Sequence, residues 1–202
     1  MKALVLHGAG SSPEAVSWLY EPIKEFGYEV YVPKYESLEE IIEKYSREKY
    51  DLYAGFSLGG AASLILSSFH EAPVIAVGAP ADRLLQARWL SIHEERSPQR
   101  EIYMSLVKSL GGEPYQNPMA YVKTSVLYYI EKIRGPVLLI QGSEDPIVRP
   151  FHSIILEDFL RKLGVRVERI VIEGMRHAPA GHHRGVIREV IFRFLGSLGR
   201  TK

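Results

Sequence analysis

The stretch Asp51 to Phe69, DLYAGFSLGGAASLILSSF, constrains the chain more than any other. A short apolar run enters Gly55-Phe56-Ser57-Leu58-Gly59 and leaves as an Ala/Leu/Ile-rich segment. A strand, a G-x-S-x-G turn and a helix in that order make a nucleophile elbow, which holds a serine in a strained turn at the tip of a strand. So tight a turn has no room for side chains two positions either side of Ser57, hence Gly55 and Gly59. Gly60, Ala61 and Ala62 let the helix lie close against its neighbours. The first N–H groups of that helix point to where negative charge would develop on a substrate. Taken alone, the motif also fits a turn serine ahead of a buried helix, so the rest of the chain has to decide.

The surrounding pattern is that of a parallel sheet covered on both faces. Apolar strands are predicted at Lys2–Leu6, Tyr28–Pro33, Leu52–Gly55, Ala72–Gly78, Pro136–Gly142 and Val167–Ile172. Between them, apolar residues recur at helical spacing. Val16, Leu19, Tyr20, Ile23 and Phe26 follow the first strand, with Ser11 or Ser12 as cap and Glu14 placed for a capping box. Ser37-Leu38-Glu39-Glu40 reads as a second capping box, leading Ile41, Ile42 and Tyr45. Phe151, Ile155, Phe159 and Leu163 mark a later helix, and Val186, Val190, Ile191 and Phe194 the last. Short strands alternating with amphipathic helices predict an α/β fold with a mostly parallel six-stranded sheet in a three-layer α/β/α arrangement. In such sheets the chemistry sits at the carboxyl ends of the strands.

One interval is too long. Roughly fifty residues separate the fourth and fifth strands, where a single crossover helix would suffice. Met119 to Ile133 is predicted to be that helix, leaving residues 82–118 as a helical insertion within a single domain spanning 1–202. It emerges above the carboxyl end of the sheet, placed to be a lid, although a helical pair packed on the side is the alternative.

Composition narrows the classes. At 202 residues and 46% apolar, the chain has enough material for one sizeable core. A net charge of +1 argues for neither nucleic acid nor an anionic membrane as partner. The absence of cysteine excludes disulfides, thiolate metal sites and a cysteine nucleophile. The Met1–Leu6 run is too short for a signal peptide and ends in His7-Gly8-Ala9-Gly10, so a cytoplasmic protein is expected. A single asparagine, Asn117, beside plentiful Glu, Arg and Lys leans towards thermostability.

A serine hydroxyl needs a base, and the base needs a carboxylate to hold its tautomer. Of the seven histidines, only His7 and His177 closely follow strands at the expected end of the sheet. His177, just after the last strand, is the expected base. Asp145, after the fifth strand, is the leading acid, with Glu144 beside it and Asp82 after the fourth strand as alternatives. His177, His182 and His183 lack the carboxylate pattern of a metal site, and neither metal nor cofactor is expected. The order Ser57, Asp145, His177, each after a strand, characterises one family.

On these residues the chain resembles the α/β-hydrolase superfamily of serine hydrolases. The resemblance runs from Leu4-Val5-Leu6-His7-Gly8 through the Ser57 turn and Gly142-Ser143-Glu144-Asp145-Pro146 to His177. It implies that backbone N–H groups of Ala9 (or Gly10) and of Leu58 form an oxyanion hole, and that His7 is a structural loop residue. It also implies that the family's first two strands are lacking, which bears on edge protection and oligomer state. The expected activity is cleavage of carboxylic esters of small to medium, uncharged, apolar substrates. Gly8, Gly10, Trp89 and Met119 are the candidate substrate-binding residues. Thioester or amide cleavage, including a peptidase, would use the same triad, and a hydrolase-like binding protein is the rival from another class.

Overall fold

The computed structural model describes residues 1–199. In chain order the elements begin with β1 (Lys2–Leu6), a 3-10 turn (Pro13–Val16), α1 (Ser17–Glu25), β2 (Glu29–Tyr31), α2 (Leu38–Tyr45), β3 (Leu52–Phe56), α3 (Leu58–Ser67) and β4 (Val74–Val77). The insertion follows as α4 (Arg83–Ser91), α5 (Pro98–Ser109) and α6 (Pro118–Lys123), and then come β5 (Val137–Gly142), α7 (Phe151–Lys162), β6 (Val167–Ile172) and α8 (His183–Leu198). All neighbouring strands pair in parallel, in the order β2-β1-β3-β4-β5-β6. Every residue of β4 and β5 is buried, because helices cover both faces. Ala3 and Val5 face a layer formed by α1 and α8, while Leu4 and Leu6 face α2, α3 and α7.

Ser37 caps α2, its Oγ accepting from Glu40 N at 3.1 Å. The return bond of that capping box goes to the N–H of Glu36 rather than of Ser37. Ser12 makes no side-chain capping bond, and the chain there forms the 3-10 turn before α1.

The expected crossover helix from Met119 to Ile133 does not form. It breaks into α6 and two 3-10 turns, Val126–Tyr128 and Ile130–Lys132. The Thr124 hydroxyl donates back to Ala120 O at 2.7 Å and the Ser125 hydroxyl to Tyr121 O at 2.8 Å. These bonds satisfy last-turn carbonyls and compete with helix continuation. Leu127 N then donates to Ala81 O, which draws the chain back to the end of β4 while Val126, Ile130 and Ile133 enter the main core.

α4, α5 and α6 build a small core of their own, in which Leu90, Tyr103, Leu106, Leu110 and Tyr121 meet Ile147 and Val148 of the loop after β5. The insertion is therefore fastened to the carboxyl end of the sheet.

His152, on α7, is wholly buried and accepts at Nδ1 from Ala81 N at 3.3 Å. Burial pulls its pKa from 6.5 down to about 4, against the opposing influence of Asp82 and Asp145. The unfolded chain therefore takes up a proton near pH 6.5 that the folded ring refuses until about 4. Stability tied to the neutral ring is present above the unfolded value and is lost as pH falls through that window, on the order of 3 kcal/mol. Urea midpoints of His152→Gln should decline less than wild type between neutral pH and about pH 4. An equal decline would contradict this account of His152.

Candidate active site

Ser57 sits between β3 and α3 with φ 55° and ψ −118°, a left-handed backbone that a non-glycine residue adopts only under constraint. The constraint is visible on both sides of it. A Cβ on Gly55 would lie 2.1 Å from Gly59 O, and one on Gly59 would lie 2.2 Å from Leu6 O. Ser57 N donates to Val77 O at 2.8 Å, which anchors the turn to β4.

Three loops converge here. His177 Nε2 lies 2.9 Å from Ser57 Oγ, and its Nδ1 lies 2.7 Å from Asp145 Oδ2. An ionised carboxylate only accepts, so Nδ1 carries the hydrogen and the Nε2 lone pair faces the Ser57 hydroxyl. Asp145 is 3% exposed. Its Oδ1 accepts from Ile147 N and Val148 N, both at 2.9 Å, and Gln141 Nε2 donates to its Oδ2 at 3.3 Å. Those bonds fix the carboxylate's orientation.

The other candidates go elsewhere. Glu144 is exposed, and Asp82 caps α4 by accepting from Leu84 N and Leu85 N. His7 bonds Gly8 O through Nδ1 and stacks on Tyr35, whose hydroxyl donates to His7 O. His182 and His183 pack on each other, and no group of metal-binding side chains occurs among the described residues.

A cavity of about 410 Å³ opens over Ser57 and His177. Gly8, Ala9 and Gly10 of the first loop and Leu58, the first residue of α3, line it beside Ser57. Its far wall comes from the insertion, including Ile102, Leu106 and Leu110. Trp89 and Met119, expected to line this cavity, do not. Trp89 faces the loop after β5, where its Nε1 donates to Pro146 O at 2.9 Å and Arg149 covers its ring. Met119 lies on the outer face of α6, half exposed. The lining is also less apolar than expected, since Arg83, Gln86, Glu36 and Glu39 contribute to it. A second concavity, about 570 Å³, lies over Lys2, Glu29 and Tyr45 at the amino end of the strands, and neither Ser57 nor His177 lines it.

Residues 43–197 match the model of the prolyl oligopeptidase family. The chain belongs to that family. Among curated relatives of this prolyl oligopeptidase family member, the uncharacterized peptidase YtmA of Bacillus subtilis is 29% identical over 140 residues, covering 67% of this chain and 51% of YtmA. The chain thus spans about half the length of that relative. The acylaminoacyl peptidase of Pyrococcus horikoshii is similar in fold at TM-score 0.63 and 16% identity, over 96% of this chain and 36% of that one. The esterase domain of a Rhodothermus marinus protein is similar at TM-score 0.66 and 19% identity, over 96% and 85% respectively. Family and fold together place the chain in the α/β-hydrolase superfamily.

For this prolyl oligopeptidase family member, Gln141, Gly78 and Gly142 are site residues that sequence reasoning passed over. Gln141 is the one polar side chain in the otherwise apolar β5 run, a signal that was available. Gly78 has φ +55°, and a Cβ there would touch both Asp145 Oδ2 and His177. Gly142 lets the loop after β5 touch the loop after β6, since a Cβ would lie 2.1 Å from Met175 O. Gly142→Ala should therefore destabilise the fold by about 3 kcal/mol and separate Asp145 from His177. Gly185→Ala, exposed on α8 with nothing within 4 Å, should stabilise by about 0.5 kcal/mol. Thermal melts of the two variants check both signs.

Proposed function

We propose that the protein is a serine esterase acting on small-molecule carboxylic esters through an acyl-enzyme on Ser57. The observation that carries this reading is the unbroken line Asp145–His177–Ser57, at 2.7 and 2.9 Å. Ser57 Oγ attacks the ester carbonyl carbon and gives its proton to His177 Nε2. Asp145 orients the imidazole and stabilises its positive charge once it forms. The N–H groups of Ala9 and Leu58 receive the developing oxyanion, Leu58 having no partner for its N–H within α3. The alcohol leaves with the proton held by His177. Water then attacks the acyl-enzyme, His177 takes a proton from that water, and the carboxylic acid departs as the proton returns to Ser57 Oγ. No cofactor enters this sequence. Residues 82–118 act as a lid, supported by their share of the cavity wall.

A second reading, amide or peptide cleavage by the same steps, is favoured by the family match and by the name of the Bacillus subtilis relative. Nitrophenyl esters and the matching nitroanilides separate the two by relative kcat/KM.

Ser57→Ala and His177→Ala should each lower kcat on a nitrophenyl ester by on the order of a millionfold, and Asp145→Asn by roughly ten-thousandfold. Equal turnover by wild type and Ser57→Ala would contradict the reading.

A further inference from the structure

Arg83 opens α4, its backbone N–H donating to Ser125 Oγ at 2.8 Å. Its side chain lines the same cavity as Ser57 and His177 while the residue is only 8% exposed. Among the described residues it belongs to no ion pair. Nη1 donates to Gln86 Oε1 at 2.6 Å, but Nε is buried with no acceptor. Burial pulls the guanidinium down to about 10, so it still carries its charge at neutral pH. Glu39, the strongest influence opposing that shift, is exposed at the cavity rim.

A buried charge without a counter-ion is unfavourable, and a guanidinium offers five donors in a planar fork suited to a carboxylate. Here one donor is engaged, by Gln86, on a side chain that lines the same cavity as Ser57. Leu106 and Leu110 belong to the same lining and give it apolar surface.

We propose that Arg83 is a specificity-determining residue that receives a substrate carboxylate, so that the preferred substrates are half-esters of short dicarboxylic acids. The acyl methylenes lie along the apolar wall, the ester carbonyl sits at Ser57, and the free acid meets the Arg83 fork. The proposal deepens the esterase reading and rests on it only for the bond-breaking step.

Two measurements test it, one without catalysis. Ser57→Ala protein titrated calorimetrically should bind glutarate saturably and the neutral glutaramide far more weakly. Arg83→Met in that background should abolish glutarate binding, and Arg83→Lys should retain part of it. In the active protein, the kcat/KM ratio of nitrophenyl hemiglutarate to nitrophenyl pentanoate should favour the anion and fall at least about tenfold in Arg83→Met. If Arg83→Met does not fold, the wild-type ratio, the Arg83→Lys variant and the glutarate-to-glutaramide comparison decide. Turnover of the neutral ester with no preference for the anion and no glutarate binding overturns the Arg83 proposal and leaves the esterase reading standing. Glutarate binding that depends on Arg83 without turnover of either ester upholds the site and overturns the esterase reading.

Discussion

The Asp145 carboxylate is the point on which the site is built. It is buried, and both its oxygens are occupied, by Ile147 N, Val148 N, Gln141 Nε2 and His177 Nδ1. A carboxylate held by four donors has a fixed orientation, which sets the plane of the imidazole bonded to it. The distance from His177 to Ser57 follows from that fixed ring and from the elbow's own rigidity. Neither loop would reach the other if Gly142 carried a side chain, because backbone meets backbone there. The geometry at the serine is thus a consequence of how closely β5 and β6 end.

The insertion shares this foundation. Ile147 and Val148, whose N–H groups hold Asp145, send their side chains into the core of α4, α5 and α6. Trp89 adds a bond to Pro146 O in the same loop. One short segment therefore orients the acid and seats the covering helices. Movement of those helices away from the cavity would have to rearrange the contacts of that segment, which couples access to the serine with the order of the acid loop.

Much of this was legible in the residues. Strands buried on both faces leave continuous apolar runs, so the sheet and its parallel pairing could be read, and chemistry in such a sheet can lie only after strands. That rule and the G-x-S-x-G turn narrowed the candidates to Ser57, to His7 and His177, and to Asp145, Glu144 and Asp82, of which the structure joins Ser57, His177 and Asp145 by hydrogen bonds. It failed wherever tertiary contacts decide. Met119 to Ile133 has helical apolar spacing, yet the Thr124 and Ser125 hydroxyls turn back on the preceding carbonyls and end the helix. Trp89 and Met119 lie in an insertion whose helix faces are set by packing that no local pattern records. Arg83 was invisible because 25 basic and 24 acidic residues give no sign that one arginine is buried with no ion-pair partner among the described residues.

The central claim is that Ser57 is an activated nucleophile, and covalent labelling reads that directly. A fluorophosphonate probe followed by peptide mass spectrometry should place the adduct on Ser57, with labelling lost in His177→Ala. An adduct on another serine, or Ser57 labelled equally without His177, would contradict the account.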